Sequence, residues 1–187
     1  MRLPVIGCLF LAAWLAAAPA LAEENREALR RAAEAGDGAA ALALGTALLA
    51  GESDAEWAEG IAWLEKAAKQ GAPVYLIIAD SYAHGVGVAP DPARAADWYR
   101  IGAETGDPLA QYEIGRRYLA GDGVAPDPVQ AIFYLELAVA RLTEPARREE
   151  ASWALVRAKW SATPDEREKV AALLRAWRPK TLRELLN

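Results

Sequence analysis

The sequence is poor in the residues that most often carry chemistry. Its 187 residues include one cysteine, Cys8, and one histidine, His84. Without a second residue of either kind, the chain has too few ligands for a transition-metal site. Cys8 and His84 are the only residues that could form a Cys–His pair for nucleophilic catalysis. A G-x-S-x-G nucleophile elbow and a lysine-bearing phosphate loop are also missing. We therefore predict that the protein is not an enzyme and uses no cofactor or metal ion.

A surplus of positive charge is absent from most of the chain. Residues 23–144 hold 10 Lys and Arg against 20 Asp and Glu, whereas residues 145–187 hold 10 against 6. Because nucleic acids bind basic surfaces, the acidic body argues against a nucleic-acid partner. The basic end could bind an acidic partner or anionic lipid head groups. Ordinary solvated helix surface is the preferred interpretation, because its charges are mixed.

Long apolar runs are confined to the N-terminus, which has the pattern of an export signal. Arg2 precedes an apolar run from Val5 to Ala18, and Ala20-Leu21-Ala22 forms an A-x-A cleavage site. The run is shorter than the roughly 20 residues that span a bilayer. We predict a cleavable signal peptide over residues 1–22 and export to the periplasm, with secretion as the alternative. The mature chain is predicted to have no disulfide and no transmembrane segment.

The rest of the chain is dominated by repetition. The stretch from Val74 to Gly106 recurs from Ala110 onward, and GVAPDP stands in both copies at the same place, 36 residues apart. A weaker copy precedes them, with Trp63 standing 35 residues before Trp98. Repeats of this length are typical of helix pairs that stack into a solenoid. We predict three repeats, over residues 36–70, 71–106 and 107–141.

Each repeat is predicted to hold two helices joined by a loop. In the first helices, Gly45, Ala79 and Gly115 occupy one column, which indicates a close crossing of two helix backbones. Pro73 and Pro108 are predicted to begin the first helices of the last two repeats, and Gly51, Gly85 and Gly121 to end the three first helices. Asp-Pro pairs begin the second helices of the last two repeats. The second helices carry an aromatic column that we interpret as core rather than as ligand contacts. The positions with a structural role in the repeat are Gly45, Gly51, Trp63, Tyr82, Gly85, Trp98, Gly115, Tyr118, Gly121 and Tyr134.

Helical segments flank the repeats on both sides. Residues 23–35 have the pattern of a second helix without its first, and are predicted to cap the N-terminal repeat. After Arg141 the repeat pattern stops, and residues 142–187 are predicted to form a C-terminal helical cap. Within that cap, Thr163 followed by Pro164 and Glu166 is a typical helix start.

The repeat motifs resemble a known family, the Sel-one-like repeat (SLR), a relative of the tetratricopeptide repeat. In the third repeat the resemblance rests on Ala110, Tyr112, Ile114, Gly115, Tyr118, Gly121, Asp122, Gly123, Val124, Asp127, Ala131 and Tyr134. The resemblance implies an all-α, right-handed α-solenoid of antiparallel helix pairs that acts as an adaptor. It also implies, for an exported bacterial member, a periplasmic regulator, an envelope-assembly scaffold, or a modulator of cell-wall enzymes or secreted factors.

In relatives of this kind the first helices line a concave groove, so residues there that are not used for packing are candidates for partner binding. The first repeat offers Ala41, Ala43, Thr46 and Ala47, an apolar wall. The candidates in the other two repeats are Tyr75, Ile77, Asp80, Ser81, His84, Gln111, Glu113, Arg116 and Arg117. A groove with tyrosine and arginine anchors would bind a peptide or a helix. The alternative is ordinary solvent-facing surface.

We therefore predict a periplasmic scaffold that binds a protein or peptide partner in its concave groove, with the monomer slightly favoured as the oligomeric state. The first rival is a structural component of an envelope complex, which would dock through its convex face or through the basic residues Arg175, Arg178, Lys180 and Arg183. The further alternatives are an inhibitor or modulator of a cell-wall or secreted enzyme and, as the least favoured, a hydrolase.

Overall fold

The computed structural model describes residues 23–186, and the predicted signal peptide over residues 1–22 lies outside them. Within the described range the chain forms helices and no strand. The helices are α1 (residues 23–34), α2 (Gly38–Leu49), α3 (Asp54–Lys69), α4 (Tyr75–His84), α5 (Pro92–Glu104), α6 (Pro108–Ala120), α7 (Pro128–Arg141), α8 (Pro145–Ser161), α9 (Pro164–Ala176) and α10 (Leu182–Leu186). Helices α2–α3, α4–α5 and α6–α7 pair, and each pair packs on the next. The predicted all-α solenoid is confirmed.

Aspartate caps set the starts of several helices. The Asp91 carboxylate accepts backbone hydrogen bonds at the start of α5, and that of Asp127 does so at the start of α7, each followed by proline as the first helical residue. These two caps are as predicted. The prediction that Pro73 begins a helix is wrong, because α4 begins at Tyr75 and no side chain caps it. Ala72 precedes Pro73 where the other two first helices, α2 and α6, have the capping residues Asp37 and Asp107, so no side chain accepts the free N–H groups there.

Small residues let the two helices of a pair approach closely, as the column of glycine and alanine predicts. A Cβ added at Gly45 would lie 2.9 Å from the carbonyl oxygen of Gly60, on α3. A Cβ added at Gly115 would lie 2.8 Å from Cγ of Leu135, on α7. Neither distance leaves room for a larger side chain without movement of the partner helix.

The loops of the second and third repeats pack against the preceding repeat. Gly87 and Gly123 have positive φ values, 70° and 73°. A Cβ on Gly87 would lie 2.5 Å from the backbone of Trp57, and a Cβ on Gly123 would overlap the carbonyl oxygen of Pro92. Each loop is therefore seated on the first turn of the previous repeat's second helix. The second glycine of each loop is needed both for its backbone conformation and for this close approach.

The loop of the first repeat is built differently. Gly85 and Gly121 end α4 and α6 in the left-handed conformation, whereas α2 ends at Ala50 in a right-handed one. Gly51 follows the C-cap residue Ala50 and does not end α2 in the left-handed conformation. Gly51 instead accepts a hydrogen bond from Nε1 of Trp57 through its carbonyl oxygen, at 2.8 Å.

The core follows the predicted columns and extends into the flanking helices. The aromatic column of Trp63, Trp98 and Tyr134 is buried, as predicted. Helix α1 is joined to α3 by two ion pairs between arginine and glutamate, and contributes Ala33 to the first-repeat core. Helices α8 and α9 pack on α7, and α10 folds back onto α3 and α5, where Leu182 is buried.

Candidate functional site

A polar cleft of about 330 Å³ opens between α4, α6 and α8. Two carboxylates and three guanidinium groups reach it from three different helices, and leucine side chains complete its walls. Its lining consists of Leu76, Asp80, His84, Tyr99, Leu109, Glu113, Arg116, Arg117 and Arg147. We call this the polar cleft.

The inner part of the polar cleft is a buried network around Arg117. This arginine is only 5% exposed, and its Nη1 lies 2.6 Å from a carboxylate oxygen of Asp122. Its guanidinium carbon lies 4.9 Å from the ring centre of Tyr99, an arrangement that favours a cation–π contact. The Tyr99 hydroxyl donates to the carboxylate of Asp80. Among the described residues, no acceptor bonds to Nε of Arg117.

Burial fixes the protonation of Tyr99. Removal from water raises the pKa of its phenol, and the bond to Asp80 raises it further, because both disfavour the phenolate. Tyr99 therefore remains a hydrogen-bond donor at neutral pH. Asp80 accepts this bond, so its carboxylate is held in place at the wall of the polar cleft.

The outer part of the polar cleft carries exposed arginines around one glutamate. Arg116, whose side chain is 46% exposed, donates to Glu113 at 2.8 Å. This bond raises the pKa of Arg116. Arg147, whose side chain is 43% exposed, lies 4.0 Å from Glu113 and 4.0 Å from Glu144. His84 donates through Nδ1 to the carbonyl oxygen of Asp80, at 2.9 Å. Both arginines can turn toward a bound carboxylate at small cost, because neither ion pair is buried.

The polar cleft brings together five of the nine residues predicted to line a groove: Asp80, His84, Glu113, Arg116 and Arg117. Ile77 is exposed but lies outside the lining of the polar cleft. The remaining three, Tyr75, Ser81 and Gln111, are buried, and their assignment to an open groove is corrected. Ala41 of the first repeat is also buried, so it does not belong to the predicted apolar wall.

The buried positions recur with the 36-residue period. Tyr75 and Gln111 occupy one column and Ser81 and Arg117 another, and all four residues are buried. Tyr75 fills the space that Gly102 leaves on α5. Gln111 donates to the carbonyl oxygen of Ala103, and Ser81 to that of Ile77.

The accessible stripe of each first helix is therefore narrower than predicted. On α4 it consists of Ile77, Asp80 and His84, which follow the spacing i, i+3, i+7. The wider prediction included the flanks of the helix, which pack against neighbouring helices.

Four lining residues were not predicted from the sequence: Leu76, Tyr99, Leu109 and Arg147. Tyr99 lies on a second helix, next to Trp98 of the aromatic column that was interpreted as core. Arg147 lies in the region interpreted as a cap. The sequence does contain a signal for Arg147. Pro145 follows Pro108 by about one repeat, and this spacing indicates that α8 continues the series of first helices.

The basic residues of the C-terminal segment make contacts within the chain. Lys180 bonds to Glu104 twice, from its backbone N–H at 2.8 Å and from Nζ at 2.9 Å. The Arg178 guanidinium donates to the carbonyl oxygens of Arg175 and Trp177. These contacts hold the segment against the ends of the helices that it crosses.

Features of metal-binding and membrane proteins are absent from the described residues. Over residues 23–186, no group of three or more His, Cys, Asp and Glu side chains is placed to hold a metal ion. In the same part of the chain, no helix combines the length and the apolar character that crossing a bilayer would require.

Comparison with known families identifies the repeat. The model of the Sel1 repeat matches residues 38–71, 76–107 and 108–141, just over half of the chain. The chain belongs to the Sel1 repeat family. This confirms the resemblance noted from the sequence, and Sel1 repeats commonly mediate interactions between proteins.

Solved structures with the same fold include two bacterial proteins. One is c5321, a protective antigen present in uropathogenic Escherichia coli strains that displays an SLR fold. It matches with a TM-score of 0.64 and 24% identity over 86% of this chain and 34% of its own length. A Sel1 repeat protein from Oxalobacter formigenes matches with a TM-score of 0.55 and 34% identity, over 67% of this chain and 96% of its own. The chain thus spans about a third of c5321, and the likeness to c5321 shows the fold alone. No curated protein matches the chain.

Proposed function

We propose that this Sel1 repeat protein is a periplasmic scaffold that binds a segment of a partner protein or peptide in its polar cleft. The leader pattern of residues 1–22 supports export. Sel1 repeats indicate a helical repeat protein used for protein interaction, and their fold is typically a non-catalytic scaffold.

The observation that carries this proposal is the state of Arg117. A buried charged group is costly unless its hydrogen-bonding capacity is met. Arg117 has one ion pair and one aromatic contact, and its Nε has no acceptor among residues 23–186. An oxygen atom of a partner that enters the polar cleft would supply an acceptor beside a charge already held in place.

The size and charge of the polar cleft favour part of a larger partner. Its volume of about 330 Å³ is at the lower end of small-molecule pockets, which run from roughly 300 to 1,000 Å³. The exposed arginines, Arg116 and Arg147, lie where they would contact the carboxylate or carbonyl groups of a bound segment. Leu76 and Leu109 offer apolar contact to its side chains. Because helices hold every one of these groups, little ordering is required on binding.

The rival proposal, docking through the basic C-terminal residues, has less support. Lys180 is paired with Glu104, and Arg178 is bonded to carbonyl groups of its own chain. A partner would have to compete with these contacts. An inhibitor or modulator of a cell-wall or secreted enzyme remains compatible with the polar cleft, since such an enzyme could be the partner.

The test replaces Arg116 and Arg147 by glutamate together. Both side chains are close to half exposed, so the variant should fold, whereas reversal of the buried Arg117 would disturb the fold itself. A partner captured by the full chain from a periplasmic extract is purified, and its affinity is measured by calorimetry. We expect binding to weaken by roughly tenfold or more, because the two charges that face the partner are reversed.

The control replaces Arg148 and Arg157 by glutamate, two exposed arginines of α8 outside the lining of the polar cleft. It makes the same change in net charge. Circular dichroism should show equal helicity in both variants. Equal affinities of the two variants for the partner would contradict the proposal.

A further inference from the structure

Helices α8 and α9 are packed differently from the helix pairs of the repeats. Both pack on α7, yet their backbones approach each other at few points. In the repeats, by contrast, Gly45 and Gly115 bring paired helices together closely. The space between α8 and α9 is a groove of about 550 Å³ with α7 as its floor. We call it the α8–α9 groove.

The α8–α9 groove is lined mainly by apolar side chains. Its floor includes Ile132 of α7 and Val170 of α9, both buried. Its wall on α8 includes Val156 and Trp160, which are 54% and 89% exposed. Large apolar side chains with this exposure, gathered in one depression, mark an interaction site. The lining resembles an interface between helices from which one helix is missing.

One edge of the α8–α9 groove carries an unbalanced positive charge. Lys159 and Arg167 line it, with Glu136 as the one acidic residue of the lining. Nζ of Lys159 lies 2.5 Å from the Glu136 carboxylate, so this pair is neutral overall. Arg167 uses one nitrogen to donate to the carbonyl oxygen of Lys159, at 2.9 Å, and its charge is left without a carboxylate in the described chain. An acidic occupant would complement it.

We propose that the α8–α9 groove is a second binding site, which takes one amphipathic helix of a partner protein. The apolar face of that helix would cover Trp160, Val156 and the floor, and acidic residues on its edges would face Arg167. Helices bound in grooves are recognised in this way, through apolar anchors at helical spacing. The site is separate from the polar cleft, which reaches α8 only at Arg147.

Two other occupants fit the observations less well. A lipid surface would contact Trp160 but would not reach Ile132, which lies buried at the bottom of the groove. A second copy would have to offer a helix with an exposed apolar face. Its α1 does not fit, because the side chains that it exposes to solvent include glutamate, arginine and small residues but no large apolar side chain. Pairing of two copies through the groove itself would bring the two Arg167 charges toward each other.

The proposal is tested with synthetic peptides. The probe is a fluorescein-labelled amphipathic helix of about 18 residues, with leucines on one face and glutamates along its edges. A matched peptide replaces each glutamate by lysine, and a third scrambles the leucines. Binding to the full chain is followed by fluorescence anisotropy. We expect the glutamate peptide to bind roughly tenfold or more tightly than either of the others.

Variants of the protein test whether the peptide binds in the α8–α9 groove. Trp160→Ala should weaken binding of the glutamate peptide by roughly tenfold, since tryptophan anchors carry much of such an interface. Trp153→Ala is the matched control, because Trp153 is on the same helix, is 66% exposed and lies outside the groove lining. It should leave binding unchanged. Arg167→Glu should remove the preference for the glutamate peptide over the lysine peptide. Both tryptophans are exposed, so both variants should keep the thermal midpoint of the native chain.

Four results would overturn the proposal. One is the absence of binding by the glutamate peptide. Another is an equal loss of binding in the two tryptophan variants. A third is binding to phosphatidylglycerol vesicles that falls with Trp160→Ala while the peptides do not bind, which would indicate a lipid surface. The last is a native chain that sediments as a dimer together with a Trp160→Ala variant that sediments as a monomer, which would indicate self-association.

Discussion

Paired helices pack closely against each other in the three repeats of this protein but stand further apart in its C-terminal region. In the repeats, glycines let the paired helices touch, and loop glycines seat each repeat on the one before it. In the C-terminal region, α8 and α9 share α7 as a support but stand apart. Four of the six large apolar side chains that are exposed among the described residues, Trp153, Val156, Trp160 and Leu173, lie on these two helices.

The difference indicates how one chain offers two kinds of surface. Where helix pairs close, most apolar side chains are buried in the core and the accessible stripes are mainly polar, as in the polar cleft. Where a pair stays open, apolar side chains remain available to a partner. The predictions below test this contrast, beginning with the largest expected effect.

The first prediction compares equal truncations in the two regions. Leu135→Ala removes a fully buried side chain that packs on Gly115, and should lower the free energy of unfolding by about 2–5 kcal/mol. Leu173→Ala removes an exposed side chain of α9 and should cost less than about 1 kcal/mol. Urea unfolding measures both. If the two substitutions cost the same, the closed packing assigned to the repeats would be wrong.

The second prediction concerns the seating of the loops. In Gly123→Ala, the new Cβ would overlap the carbonyl oxygen of Pro92, and the residue has a positive φ. We expect a loss of about 2–4 kcal/mol, from left-handed strain and from the overlap together. Gly36→Ala is the control, because Gly36 also has a positive φ but nothing lies within 4 Å of its added Cβ. It should cost about 1 kcal/mol. Thermal unfolding that shifts equally in both variants would contradict the seating of the loop on α5.

The third prediction concerns the contact that joins the C-terminal segment to the repeats. Burial raises the pKa of Glu104, but hydrogen bonds from Tyr134 and Lys180 outweigh it, and the pKa lies below its ordinary value of 4.5. A lowered pKa in the folded state means that the ionised carboxylate stabilises the fold above pH 4.5. This stabilisation is lost as the pH falls through the folded-state pKa. Lys180→Met removes one of its causes.

Lys180→Met should therefore cost about 0.5–1 kcal/mol at pH 7, because Lys180 is half exposed and its pair is partly screened. The cost should shrink as the pH falls below 4.5 and through the folded-state pKa of Glu104, because the protonated carboxyl no longer forms an ion pair with Lys180. Urea unfolding at pH 7 and pH 3 gives the comparison, with the exposed Lys69→Met as control. A cost that is the same at both pH values would refute the role given to this ion pair.

Much of the solenoid could be predicted from the sequence, because its period places equivalent residues in equivalent surroundings. The aspartate caps act locally, so Asp91 and Asp127 could be assigned from neighbouring residues alone. The aromatic core column followed in the same way from spacing. Pro73 shows the limit of this reasoning, because a proline without a capping residue before it does not begin a helix there.

The candidate site was predicted only in part, because accessibility depends on neighbouring helices. Asp80 and Arg116 could be found from helical spacing. The burial of Gln111 is due to the end of α5, and that of Tyr75 to the gap at Gly102. Neither contact is encoded in the helix that carries the residue. The α8–α9 groove left no signal in the repeat pattern, because it results from the way two non-repeat helices pack on α7.

The most direct test of the account is the affinity of a purified partner for two variants measured side by side. One is the Arg116→Glu and Arg147→Glu double variant of the polar cleft, and the other is Trp160→Ala of the α8–α9 groove. For a partner that binds through the repeats, we predict roughly tenfold or greater loss in the first and native affinity in the second. Native affinity in the double variant, with its helicity intact, would contradict the assignment of the polar cleft as the binding site.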